Sequence, residues 1–243
     1  MGNNEKKMKI AKMPFLGIGI AILIVSAGLI ALSPKSGGNL YHQVKPLRVA
    51  CIGDSITEGS GYPNNLQMLL GTNYAVGNFG VSGSTVSLKS GKPYMNQTAF
   101  QKAKAFQPDI VIIMLGTNDA NPAAYQYLES TAYDYKQLIA EFQALPGGQE
   151  VWLVEPPPIF NNGPGPNNTN LMQGVIPTIQ QVANDLNLST IDIYTALANY
   201  PEYFPDGVHP DNEGAKVIAT DVYEAITFAD DIPFGASDIV FLG

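Results

Sequence analysis

Cysteine is nearly missing from this 243-residue chain: Cys51 stands alone. That excludes an internal disulfide framework and any multi-cysteine metal site. Histidine is almost as scarce, with only His42 and His209. Basic residues are few, 13 against 21 acidic, for a formal net charge of −8. A protein that grips a nucleic-acid backbone needs a basic face, so nucleic acid is set aside as a partner. Charged residues make up 14% and hydrophobic residues 45%, the profile of neither a disordered chain nor a polytopic membrane protein. No internal repeat is visible, and long apolar runs are missing with one exception.

The exception is "FLGIGIAILIVSAGLIAL", residues 15–32, which carries no charge and follows Lys6, Lys7, Lys9 and Lys12. As a helix it would reach roughly 27 Å, close to the ~30 Å hydrocarbon core of a bilayer. It reads as an export segment whose lysines keep the N-terminus in the cytoplasm. Val25-Ser26-Ala27 offers a small-residue cleavage site, but cutting there leaves apolar "GLIAL" on the mature end. Residues 1–33 are therefore a signal peptide or an uncleaved signal anchor. The rest is expected outside the cytoplasm: secreted, periplasmic, or tethered at the membrane through residues 15–32. Removing the four lysines and Glu5 of this segment leaves nine basic against 20 acidic residues. Residues 34–46 form a Pro/Gly linker in which His42 is read as solvated.

From Leu47 onward, short apolar runs alternate with helical patterns. The runs are "LRVACI" (47–52), "YAVGNF" (74–79), "DIVIIML" (109–115), "EVWLVE" (150–155) and "STIDIY" (189–194). They are rich in Val and Ile on both faces, as strands of a covered parallel sheet must be. Between and after them lie helical stretches over 64–70, 99–106, 127–145, 171–186 and 212–226. The alternation predicts a three-layer α/β domain over residues 47–227 with a five-stranded parallel sheet. Residues 228–243 fit no element and form a C-terminal tail. "PPPIFNNGPGPNNTN" (156–170) is a long loop after the fourth strand, of the kind that lines sites.

Polar clusters follow the strands: "GDSITEG" after the first, "GVSGST" after the second, "GTND" after the third, and "DGVHP" near the C-terminal end. In a parallel sheet these fall on one edge, where ligand sites form. Residue chemistry then suggests acyl transfer. A serine hydroxyl, Ser55, needs a base to become a nucleophile. His209 can serve as that base and later protonate a leaving alcohol. Asp206, three residues earlier, can hold the ring. Backbone N–H groups of Ser55 and Gly83 and the Asn118 amide can meet an oxyanion. A metal reading of Asp206, His209, Asp211 and Glu213 has one histidine and no second cluster. Asp211 reads better as a cap of the last helix. An α/β-hydrolase is excluded, since that fold carries its serine in a G-x-S-x-G turn after several strands, whereas Ser55 follows the first strand.

The four blocks, in this order over residues 53–210, resemble those of the SGNH/GDSL hydrolase family. The resemblance implies a flavodoxin-like sandwich and no cofactor or metal. It also implies Ser55 as nucleophile, Asp206 and His209 as the acid–base pair, and Ser55, Gly83 and Asn118 around the oxyanion. Gly80 is the rival to Gly83. "NFGVSGST", "KPY", "PDIVIIMLGTND" and "PPP" are similar to bacterial sialate- or xylan-type O-acetylesterases. The resemblance therefore implies a small-molecule or oligosaccharide ester as substrate, and no protein partner is expected. Polar loops 84–97 and 156–170 would suit a sugar, with Tyr94 and Phe160 as stacking rings. The alternatives are a lipolytic esterase, lysophospholipase or thioesterase, and a non-catalytic carbohydrate-binding module.

Overall fold

The computed structural model describes residues 45–161 and 163–228. The expected export segment, the linker through residue 44 with His42, and the tail from residue 229 lie outside the described residues. Among the described residues no helix is long and apolar enough to cross a membrane.

Five strands form one sheet: β1 (Leu47–Gly53), β2 (Tyr74–Gly80), β3 (Ile110–Met114), β4 (Glu150–Glu155) and β5 (Ser189–Asp192). All neighbours are parallel, in the order β2-β1-β3-β4-β5. The strands match the five apolar runs, with β3 shortened by one residue at each end and β5 by two at its C-terminal end. Asp109 stays outside β3, where its carboxylate accepts the Arg48 N–H at 2.7 Å. Residues 193 and 194 leave β5 because Asp192 caps a helix there, accepting the Thr195 N–H at 2.8 Å.

The helices are α1 (Ser55–Gly59), α2 (Tyr62–Leu70), α3 (Thr98–Ala105), α4 (Pro122–Tyr125), α5 (Leu128–Gln143), α6 (Asn168–Asn170), α7 (Ile176–Leu186), α8 (Ile193–Leu197) and α9 (Asn212–Phe228). α1, α4 and α8 are too short to show an apolar period. Each is started instead by a side-chain cap, from Asp54, Asn121 and Asp192. The helix expected over 171–186 is divided. A wide turn over 171–175 precedes α7, whose second residue, Pro177, has no N–H to continue an ordinary turn.

Alternate residues of each strand point to opposite layers. Ala50, Ile52, Val111, Ile113, Val151 and Leu153 pack with Phe100 of α3, Leu138 and Phe142 of α5, and Ile179 of α7. Val49, Cys51, Ile112, Met114, Trp152 and Ile191 pack with Leu66 of α2, Leu197 of α8, and Ile218 and Val222 of α9. Burying one such large side chain contributes about 1.5–3 kcal/mol, against about 0.5–1.5 for a typical hydrogen bond. The fold therefore rests on these two apolar layers. Polar groups at the sheet edge are free to serve chemistry.

The strand order also places a crevice. The backbone leaves β1 toward α2 on one face and leaves β3 toward α5 on the other. Adjacent strands whose connections diverge open a gap at their C-terminal ends. Ser55 follows β1 and Asn118 follows β3, so both stand at that gap.

Candidate active site

Ser55 is the first residue of α1, held in a turn by Asp54, whose Oδ1 accepts the Ile56 N–H at 3.0 Å. Ser55 opens α1, so its N–H belongs to the first turn, whose donors find no partner within the helix. Ser55 Oγ lies 2.8 Å from His209 Nε2, across 154 residues of sequence. His209 Nδ1 lies 2.6 Å from Asp206 Oδ2. The network assigns the tautomer: Nδ1–H donates to the carboxylate, and Nε2 accepts the Ser55 hydroxyl.

The loop bearing His209 is shaped by Asp206 itself. Its Oδ1 accepts the N–H groups of Val208 at 2.9 Å and His209 at 2.7 Å. Partial desolvation would raise the Asp206 carboxyl, but the His209 N–H, the imidazole and the Val208 N–H outweigh it and hold the group down at about 2. Asp206 is thus an anion throughout the neutral range. From outside, Phe160 and Asn161 donate backbone N–H groups to the Gly207 carbonyl at 2.7 and 3.1 Å. This ties the long 156–167 loop to the histidine loop. Asp211 caps α9, accepting Glu213 and Gly214 N–H at 2.9 and 3.1 Å.

Gly83 and Asn118 line one 220 Å³ pocket, together with Thr85, Ser90, Lys92 and Asn121. Asn118 Nδ2 donates to the Ser84 carbonyl at 3.1 Å, which orients the amide and leaves it a second N–H. Gly83 has φ +73°, a left-handed conformation that suits glycine, and space where a Cβ would stand. Gly80 differs: a Cβ there would lie 2.2 Å from the Glu58 backbone nitrogen. Its role is the close approach of β2 to α1. A network missed in the sequence supports the Gly83 loop. Glu58 accepts both the N–H (2.8 Å) and the hydroxyl of Ser82, and Lys92 Nζ donates to the Ser82 carbonyl at 2.7 Å.

One expectation about the pocket needs correction. Tyr94 is fully buried and its hydroxyl donates to the Phe79 carbonyl at 2.7 Å, so it belongs to the core and cannot stack on a sugar. Phe160 is half-buried and packs on Phe204, ring centres 5.1 Å apart. The sequence reading also missed Thr117 and Asp119, both buried beside the site, as is Asp54. Nothing local marks them, because "GDS" and "GTND" read as solvated turns. Among the described residues no group of three or more His, Cys, Asp or Glu side chains is arranged to hold a metal ion.

The model of the GDSL-like lipase/acylhydrolase family matches residues 51–217. The chain belongs to that family. An acetylxylan esterase of Xylanibacter ruminicola is 37% identical over 206 residues, covering 74% of this chain and 43% of that protein. The chain thus spans less than half the length of the curated relatives it matches. Among solved structures, a lipase/acylhydrolase from Enterococcus faecalis superposes with a TM-score of 0.59 at 26% identity, over 74% of this chain and 95% of that one. An acetyl xylan esterase, AlAXEase, gives a TM-score of 0.61 at 21% identity, over 74% and 100%, and shares the family's fold.

Proposed function

We propose that the chain is a serine esterase that removes O-acetyl groups from carbohydrates. The observation that carries this reading is the unbroken relay from Ser55 Oγ through His209 to Asp206 at the sheet edge. Ser55 Oγ attacks the acetyl carbonyl carbon while His209 Nε2 takes its proton. Asp206 holds the ring and stabilises the imidazolium. The carbonyl oxygen becomes an oxyanion, met by the Ser55 and Gly83 N–H groups and the Asn118 amide. The intermediate collapses: the ester C–O bond breaks, and the sugar oxygen leaves with the Nε2 proton. Water, deprotonated by the same nitrogen, cleaves the acetyl-serine. Acetate departs and the hydroxyl is restored.

Two observations support the sugar acetate. Relatives named for acetylated xylan share the family. The pocket beside Asn118 carries Thr85, Ser90, Lys92 and Asn121, side chains that hydrogen-bond hydroxyls, alongside the small Ala123 and Ala124. A lipolytic pocket would gain about 0.8 kcal/mol per added CH₂. We expect kcat/KM to fall instead from acetyl to butyryl esters and to be small at octanoyl. Acetate release from an acetylated oligosaccharide should exceed that from an aryl acetate of equal reactivity. A kcat/KM that climbs with acyl length sinks the sugar-acetate reading and favours a lipolytic one.

A further inference from the structure

In the loop after β2, the run Ser84, Thr85, Val86 and Ser87 is polar in composition yet buried, each residue exposed by 4% or less. Its backbone groups cannot turn to water and must be met inside the protein. Two consecutive residues of the loop after β3 meet them. Asn118 Nδ2 donates to the Ser84 carbonyl at 3.1 Å. Asp119 Oδ2 accepts the Val86 N–H and Oδ1 the Ser87 N–H, each at 3.0 Å. The strands that carry these loops, β2 and β3, do not pair, because β1 lies between them. Sheet hydrogen bonds therefore do not tie one loop directly to the other. The Asp119 carboxylate, beside the Asn118 amide, does.

We propose that Asp119 is a positioning residue that sets the separation of the two oxyanion donors contributed by the loops, Gly83 and Asn118. The inference rests on the reading of those two residues as oxyanion donors. Gly83 directly precedes the held run, and the Asn118 amide takes its orientation from Ser84 within that run. Both line the same pocket. Where residues 84–87 sit thus decides where both donors point. A donor serves an oxyanion at about 2.7–3.1 Å, and a misplacement of ~1 Å can cost about 10²-fold. Asp119 is buried, so it acts through the loop and not on substrate. A carboxylate suits the task because both of its oxygens accept, and two N–H groups arrive from consecutive residues. An asparagine keeps one acceptor oxygen and turns an NH₂ toward the other N–H, so one of the two bonds must be lost. Asp134 of α5 supplies a natural control. Its Oδ2 accepts the Leu88 N–H at 2.9 Å, next along the loop and further from Gly83, where the chain is only part-buried and water can substitute.

Burial pushes the Asp119 carboxyl up to about 6, so assays at about pH 8 meet it as a carboxylate. There Asp119→Asn should lose roughly 10–100-fold in kcat with KM within about three-fold of wild type. Asp119→Ala should lose at least as much, whereas Asp134→Asn should keep kcat within about three-fold. A boronic acid that forms a tetrahedral adduct on Ser55 places an oxygen where the oxyanion forms. Its affinity for Asp119→Asn should fall by about the factor lost in kcat. Amide hydrogen exchange over residues 84–88 should quicken in Asp119→Asn. The proposal is overturned if Asp119→Asn, folded by circular dichroism, keeps kcat within about three-fold of wild type. It is also overturned if boronate affinity holds while kcat falls, if Asp134→Asn loses as much kcat as Asp119→Asn, or if the exchange is unchanged. Should Asp119→Ala fail to fold, Asp119→Asn and Asp134→Asn still decide. The exchange measurement does not depend on catalysis. If Ser55→Ala stays active, the functional reading fails, while quickened exchange still shows Asp119 holding the loop.

Discussion

The two banks of the site are built by opposite means. On one, Asp206 and His209 are three residues apart, with side chains 58% and 48% exposed, and their bonds lie within a single short loop. On the other, Asp54, Thr117 and Asp119 are buried just past the ends of the neighbouring strands β1 and β3. The aspartates diverge accordingly. Hydrogen bonds around Asp206 overcome its slight desolvation and hold it at about 2. Burial pushes Asp54 up to about 7. One residue type thus stays an anion where protons move and is pushed toward its neutral form where the sheet buries it. An exposed loop can supply charge because water and N–H groups solvate it. Rigidity has to come from the sheet.

The strongest way to break the comparison is to remove the proton-moving bank. Ser55→Ala and His209→Ala should each lower kcat by at least ~10³, and the double variant should be little worse, because such residues act as a unit. Steady-state kinetics, with folding checked by circular dichroism, measures this. Additive losses would mean that His209 works apart from Ser55. Asp206→Asn should be milder than His209→Ala, since the base survives with a weaker holder.

The next test strikes the facing bank. Asn118→Ala should lower kcat by roughly 10²–10³ and leave KM nearly unchanged, because the amide matters most when the oxyanion forms. An effect confined to KM would recast Asn118 as a residue that positions substrate. The two glycines sharpen the contrast. Gly83→Ala should lower kcat with a modest loss of stability. Gly80→Ala should mainly lower the thermal midpoint, since its new Cβ meets the Glu58 backbone.

The same division explains what the sequence discloses. "DGVHP" is legible because the Asp206–His209 contact spans three residues and each partner is a recognisable chemical type. The five strands are legible because runs such as "DIVIIML" must be apolar on both faces of a covered sheet. The hold of Asp119 on Val86 and Ser87 is not legible, since it exists only once β2 and β3 flank β1. Tyr94 misleads for a related reason. Its loop is polar, but the ring turns inward against Phe100, and local composition does not specify where an aromatic side chain points. The short helices α1, α4 and α8 escape because caps alone define them.

The smallest expected effect separates the banks by pH. Asp54 and Asp119 sit at about 7 and 6, raised by burial above the ordinary carboxylate value of about 3.9. The folded protein therefore keeps protons that the unfolded chain releases. Their contribution to stability is full below about pH 4 and is lost as pH rises through 6 and 7. Asp206 has the opposite sign. Its lowered value gives stability that is present above about pH 4 and lost as pH falls toward 2. Between about pH 5 and 8 Asp206 does not titrate, and the buried pair does. The thermal midpoint should decline across that range by roughly a few degrees. Asp54→Asn should remove part of this decline. Asp206→Asn should leave the slope unchanged. Calorimetric midpoints at three pH values suffice to check this. A slope that Asp206→Asn flattens and Asp54→Asn does not would reverse the roles of the two banks.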